Sequence, residues 1–585
     1  MSPVRQYEDA SLSPQARVED LLPRLAVEDK VGLLYHAHSA LVDPESRDPY
    51  GRGPVAPLIR DRRITAYLVQ GAGTGREVAR LHNQLQRIAA EHPLRIPVVL
   101  STDPRHSTSD NPLTANASGA FSRWPEPLGL AAIGSADTVE EFADVARREY
   151  LAAGIRVALH PQLDLATEPR WARIIHTFGE DAALTGRLGV AYIRGFQGPA
   201  LGPDSVATMA KHFPGGGPQK DGLDPHFADG REQVYPGRRF EHHLAPFTAA
   251  VEVGVAQMMP YYGMPVGTEY EEVGFAFNKG VVTGLLRERL GFDGIVCTDF
   301  GVVTGYGEVF PAKAWGVEHL TPSERLVKLL DAGVDQFGGE TGTDLLLDLV
   351  KTGQITEARL DTSVRRILRE RFQLGLFDNR RYVDEGAADR IVGSAAFREA
   401  GSRAQRASLT LLTNGTDDTP VLPAAKGALV YAEGVDPAAF DGYATLVDTP
   451  EDADLAVLRV DAPSYHDPAR GFLGSMHKGS LDFPTDRAAH LADVASRVPT
   501  VLDVRLERPA ILTQLTGAAA LIGSYGTEDR EFVEVVFGDG EPLGSLPFDL
   551  PRSMAAVEAG RTDVPFDTAD PLFRFGHGLR YRPYT

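Results

Sequence analysis

Cysteine is nearly missing from this chain. Cys297 is the only one in 585 residues, so no intrachain disulfide can form and no cysteine cluster can hold zinc. There is no run of about 18 apolar residues, which leaves nothing to span a bilayer as a helix. No H-E-x-x-H, P-loop or G-x-S-x-G elbow occurs, removing the commonest metalloprotease, nucleotide and serine-hydrolase signatures. Basic residues are the minority sign: 59 Lys and Arg face 80 Asp and Glu, a formal charge of −21. That balance argues against nucleic acid or an anionic membrane surface as a partner, because both need a basic footprint. The N-terminus, MSPVRQYEDASLSPQARVED, has no apolar core of a secretory leader, so a cytoplasmic location is expected. The sequons at Asn116 and Asn414 are then read as chance.

What is present is ordinary globular composition, 43% hydrophobic and 24% charged, which excludes wholesale disorder. From about Leu21 to Asp378, short apolar strands alternate with amphipathic helices. Strands are expected at Ile64–Val69, Ile96–Leu100, Ile155–Leu159, Ala207–Ala210, Ala256–Met259 and Gly294–Cys297. Helices are expected at Glu77–Ala90, Thr138–Ala153 and Ser323–Ala332, the last capped by Ser323. Repeated strand–helix units over more than 350 residues suit an α/β architecture with a TIM-like (β/α)8 barrel. We therefore expect a barrel domain over residues 1–385 and a polar linker over 386–405. A smaller α/β sandwich domain should fill 406–585, with strands at Leu409–Leu412, Ala428–Tyr431, Ala453–Val460 and Thr500–Arg505. Consecutive apolar positions in these runs mark strands buried on both faces. Two such domains create a cleft suited to a small molecule.

Three strand ends carry chemistry. Val206 to Gly217 delivers Lys211 and His212 together at the end of an apolar strand, followed by a Gly-rich turn. Gly291 to Gly301 places Asp299 after a second buried run, and Asp103 follows a third. Carboxylates beside Lys and His at one barrel mouth suit acid/base or covalent glycosyl chemistry. Their blander readings are a salt-bridged rim for the Lys–His pair and helix caps for each Asp. Gly71-Ala-Gly-Thr-Gly75 has the wrong spacing for a dinucleotide loop and reads as an ordinary βα turn. Cys297 reads as a buried structural thiol.

Taken in order, these segments resemble glycoside hydrolase family 3, the retaining β-glucosidase and β-glucan exohydrolase group. Glu168-Pro-Arg-Trp-Ala-Arg173 with Phe178-Gly-Glu-Asp181, Phe196-Gln-Gly198, Lys211-His212-Phe213 and Gly291–Phe300 are similar to the family's barrel motifs. Gly538–Pro547 and Phe575–Tyr581 are similar to its second-domain motifs. The resemblance implies an exo-acting β-glycosidase, most simply a β-glucosidase, that passes through a glycosyl-aspartate on Asp299. It implies Asp103, Arg173, Lys211, His212 and Tyr262 around the terminal sugar in the −1 subsite, and Phe300 on the +1 side. It implies no metal and no cofactor. The partner is then a small β-glycoside or oligosaccharide, and a homo-oligomer is compatible with this reading.

The proton donor departs from the family pattern. Two-domain relatives carry a Glu in the second-domain loop after the strand Ala453–Val460, yet no Glu lies between Glu451 and Glu507 here. Asp467 ranks first as acid/base and His466 second, ahead of Asp461 and an Asp224–His226 pair. A phosphorylase or transglycosylase, a β-xylosidase, and a sugar-binding protein without turnover are the alternatives.

Overall fold

The computed structural model describes residues 5–108, 118–306, 311–416, 418–465 and 478–581, and the single positions 468, 474 and 476. Eight parallel strands form the first domain: β1 (Tyr35–Ala40), β2 (Ala66–Gln70), β3 (Val99–Thr102), β4 (Ile155–Ala158), β5 (Ala207–Phe213), β6 (Gln257–Pro260), β7 (Ile295–Val296) and β8 (Phe337–Gly338). They pair in chain order, and β8 returns to β1 with Tyr35 opposite Phe337. A parallel bridge from Cys297 to Gln336, with Thr298 N donating to Gln336 O at 2.9 Å, closes the barrel. Leu68, Val99, Val157, Met209, Met259 and Cys297 fill its interior, as expected for a packed barrel core. Cys297 is the buried structural thiol the sequence suggested.

Six of these strands match the expected runs to within a few residues. β1 and β8 were not anticipated. Tyr35-His-Ala-His-Ser-Ala40 lacks an apolar run because His36 is a buried polar residue, bonded to Ser101 Oγ at 2.7 Å. β8 is only two residues long. The helix Pro322–Ala332 is capped by Thr321, not Ser323: Thr321 Oγ1 accepts Glu324 N while the Glu324 carboxylate accepts Thr321 N, a reciprocal capping box. Gly71–Gly75 is a βα turn, with Thr74 capping the helix Gly75–Ala89 in the same way.

The second domain is a six-stranded sheet of β9 (Thr410–Asn414), β10 (Leu429–Glu433), β11 (Thr445–Leu446), β12 (Leu455–Asp461), β13 (Thr500–Arg505) and β14 (Ala520–Ser524). Its order is β9-β14-β13-β12-β10-β11, parallel except for the edge strand β9. Residues 386–405, expected as a polar linker, lie in two helices, Glu385–Ile391 and Ala395–Ser408, apart from the three-residue turn 392–394 between them. In the second helix Phe397, Ala400, Gly401, Ala404, Gln405 and Ser408 are buried, the i, i+3/i+4 stripe of a docked helix. The connection is therefore packed.

Polar contacts join the domains. The Glu180 carboxylate accepts Asp549 N at 2.6 Å and Phe566 N at 2.8 Å, while Asp563 accepts Gly237 N and Arg239 N, both at 2.7 Å. Buried Arg508 donates to the carbonyls of Pro463, Lys478, Gly479 and Ser480, and to Arg170 of the barrel at 2.8 Å. It thus fastens both roots of the loop after β12 to the barrel mouth. No helix among the described residues is long and apolar enough to cross a membrane.

Candidate active site

The carboxyl ends of β3 to β7 converge. β5 ends in Lys211-His212-Phe213; Asp103 stands one residue beyond β3, Tyr262 two beyond β6, and Asp299 three beyond β7. Lys211 Nζ donates to Asp103 Oδ1 at 2.8 Å. Arg173 NH1 donates to His212 Nε2 at 3.1 Å, and His212 Nδ1 pairs with Asp164 Oδ2 at 2.7 Å. His212 Nε2 lies 3.8 Å from Asp299 Oδ2. Asp299 Oδ1 accepts Phe300 N at 2.7 Å, and the Tyr262 hydroxyl donates to Phe300 O at 2.6 Å. Every expected −1 residue is brought to one mouth.

The imidazole's tautomer follows from its partners. Arg173 can only donate, so Nε2 accepts and Nδ1 carries the proton toward Asp164. Burial and the Arg173 charge hold His212 well below its ordinary range, leaving it neutral. Burial pushes the Asp164 carboxyl up to about 6, against the N–H groups of His212 and Gly216 and the charge of Arg173. Asp164, His212 and Arg173 form a buried relay that aims the guanidinium. Arg173 Nε and Gln162 Nε2 are buried with no hydrogen-bond partner among the described residues, an expensive arrangement.

The Gly-rich turn makes this possible. Gly216 N donates to Asp164 Oδ1 at 2.5 Å, and a Cβ on Gly217 would sit 1.9 Å from Leu165 O at a φ of +119°. Gly217→Ala should therefore cost about 3 kcal/mol of stability, read from urea melts; an unshifted midpoint would contradict the close approach.

The other expectations divide. Phe300, expected to show an aromatic face on the +1 side, is packed into the barrel interior, edge-on to His36 (5.5 Å) and His38 (5.0 Å). Asp467 and His466 lie outside the described residues. Asp461 ends β12 and is spent on Arg505 Nε at 2.6 Å. Asp224 and His226 do form a dyad: Asp224 Oδ1 meets His226 Nδ1 at 2.5 Å, while its Oδ2 accepts Trp171 Nε1 at 2.9 Å and the Tyr261 hydroxyl at 3.1 Å. Burial alone would raise the Asp224 carboxyl, but His226 and Arg173 hold it well below the usual range. The His226 ring stands edge-on to Tyr262 at 4.9 Å, so the dyad borders the nucleophile's surroundings.

Sequence reasoning missed Asp164 and Gln162. Both follow β4 in Pro161-Gln-Leu-Asp164, a polar pair after a buried run, the same signal that singled out Asp103. Among the described residues no cluster of three or more His, Cys, Asp or Glu could hold a metal.

A barrel mouth with an aspartate beside Lys, His and Arg, in a chain that carries a second α/β domain, has the chemistry of a carbohydrate-processing site. The model of the glycosyl hydrolase family 3 N-terminal domain matches residues 58–370. A probable β-glucosidase C from Aspergillus oryzae is 49% identical over 583 residues, covering 98% of this chain and 91% of that protein. A periplasmic β-glucosidase/β-xylosidase from Dickeya chrysanthemi is 40% identical, also covering 98% and 91%. The β-glucosidase of Listeria innocua in complex with isofagomine superposes with a TM-score of 0.77 at 21% identity, over 97% of this chain and 83% of that one, which speaks to the fold. The chain belongs to glycoside hydrolase family 3.

Proposed function

We propose that this enzyme is a retaining, exo-acting β-glucosidase, with Asp299 as nucleophile and Asp103, Arg173, Lys211, His212 and Tyr262 holding the terminal sugar. The observation that carries this reading is the Asp164–His212–Arg173 relay converging on Asp299 beside the Lys211–Asp103 pair. Asp299 attacks the anomeric carbon through an oxocarbenium-like transition state, and water releases the sugar from the ester. Arg173 and Lys211 are fixed hydrogen-bond donors for the sugar's hydroxyls. Asp103 can accept from a sugar hydroxyl while tethered to Lys211.

The proton donor is assigned to Asp467, with His466 second, on the loop whose roots Arg508 holds. His226 is the candidate from the barrel side, since Asp224 is already committed as an acceptor. Replacing the true donor should spare dinitrophenyl glucoside but slow poor leaving groups by about 10²–10⁴-fold; Asp467→Ala, His466→Ala and His226→Ala separate the three. The Dickeya relative's name makes xylosides the second sugar class to assay.

Trapping with a 2-deoxy-2-fluoro glucoside and peptide mapping tests the core of the proposal: the label should fall on Asp299, and a label elsewhere overturns it. A pH profile tests the relay. As pH falls through about 6, Asp164 gains a proton and loses an acceptor position for His212, so kcat/KM should drop with an inflection near 6. Asp164→Asn should lower kcat/KM by roughly 10²-fold and remove that inflection; an unchanged acid limb would detach Asp164 from the chemistry.

A further inference from the structure

Asp103 lies between two pinned neighbours. Arg105, two residues further on, is fully buried, and its planar fork spans three acceptors. Nε donates to Thr102 Oγ1, NH1 to Gly71 O and NH2 to Val69 O, each at 2.8 Å. The Thr102 hydroxyl in turn donates to Asp103 O. Pro104 restricts the same residue from the other side, because a residue before proline is biased toward extended backbone. Beyond the fork, His106 Nε2 meets the buried Glu149 carboxylate at 2.8 Å.

A guanidinium is a costly way to make these bonds. All three of its partners are neutral, and a buried charge that no carboxylate answers is expensive. Burial pushes the group down to about 10, against the pull of Tyr150 and Asp103, so it stays charged at neutral pH. What the arrangement secures is the direction of Asp103. Val69 and Gly71 mark the carboxyl end of β2, and Gly71 holds a φ of +106° that favours glycine. The fork therefore ties that strand end to the turn after β3. From β5, two strands away, Lys211 Nζ meets Asp103 Oδ1 at 2.8 Å, with the aspartate side chain 23% exposed at the mouth. A carboxylate that must meet a ligand cannot drift, since a misplacement of about 1 Å costs on the order of 10²-fold in rate.

We propose that Arg105 is a positioning residue for Asp103, setting through Thr102 the place at which that carboxylate meets the terminal sugar. This rests on the β-glucosidase reading above. Lysine keeps the charge but cannot span three acceptors with one planar fork. Arg105→Lys should lower kcat/KM on 4-nitrophenyl glucoside about 10- to 30-fold, and Thr102→Val, which removes only the linking hydroxyl, about 3- to 10-fold. Asp103→Ala should lower it about 10²-fold. The decisive measurement is a double-mutant cycle: once Asp103 is alanine, Arg105→Lys and Thr102→Val should each cost less than about twofold. A general loss of stability would act alike in both backgrounds and cannot imitate that coupling. Thr102→Val keeps the test open if Arg105→Lys does not fold. Either variant retaining its full factor in the Asp103→Ala background, or costing nothing in the unaltered one, would overturn the assignment. An Asp103→Ala enzyme with unchanged kcat/KM would instead refute the placement of Asp103 in the sugar pocket, and this inference with it.

Discussion

Asp299→Gly should reduce kcat/KM on aryl β-glucosides by roughly 10⁴–10⁶-fold, the scale on which a covalent nucleophile is lost. The variant should still fold, because the groups against the Asp299 carboxylate, Phe300 N at 2.7 Å and His212 Nε2 at 3.8 Å, belong to the barrel mouth and not to the domain seam. Azide supplied in solution can enter the space the carboxylate vacates and attack C1 from the same face. The expected product is an α-glucosyl azide, released at a rate that rises with azide concentration. Two results would sink the assignment: an Asp299→Gly enzyme with near-normal turnover, or a rescued product that keeps the β configuration. Product analysis by NMR on the unaltered enzyme complements this, since retention requires the first-formed glucose to be β.

Arg508→Met should have the second-largest effect, though it lies outside the sugar pocket. Its guanidinium donates to five carbonyls, four at the roots of the second-domain loop, two of them in fully buried bonds, and one on Arg170 of the barrel. Methionine fills similar volume but donates nothing, and stranding these acceptors should cost about 3–5 kcal/mol. The neighbouring Lys478–Glu507 ion pair cannot replace a planar five-donor fork. If the loop supplies the proton, kcat/KM on cellobiose should fall about 10²-fold, with a much smaller loss on dinitrophenyl glucoside. Equal losses on the two substrates would show that Arg508 supports the fold without serving the proton donor.

The barrel was legible because its strands are consecutive apolar runs ending in charged residues, a pattern that burial on both faces imposes. Lys211, His212, Asp103 and Asp299 were found through that pattern, and the structure gathers them. β1 escaped because His36 is buried as a polar partner of Ser101, which periodicity cannot distinguish from exposure. The helix Ala395–Ser408 escaped because small residues make its buried face, and they carry little hydrophobic signal. Asp164 was invisible for a different reason. Its role depends on which side chains face it across the mouth, and one chain's order of residues does not record that. Phe300 shows the converse: the motif gives it a place on the +1 side but does not record its burial against the His36 and His38 rings.

The seam between the two domains adds to a shared apolar core a set of hydrogen bonds in which carboxylates accept from backbone N–H and a guanidinium donates to backbone carbonyls. Such bonds depend on angle and distance far more steeply than apolar contact does, so a slight parting of the halves would break many of them together. Heating should then silence the enzyme while both domains keep their secondary structure, with inactivation running several degrees ahead of the loss of far-UV ellipticity.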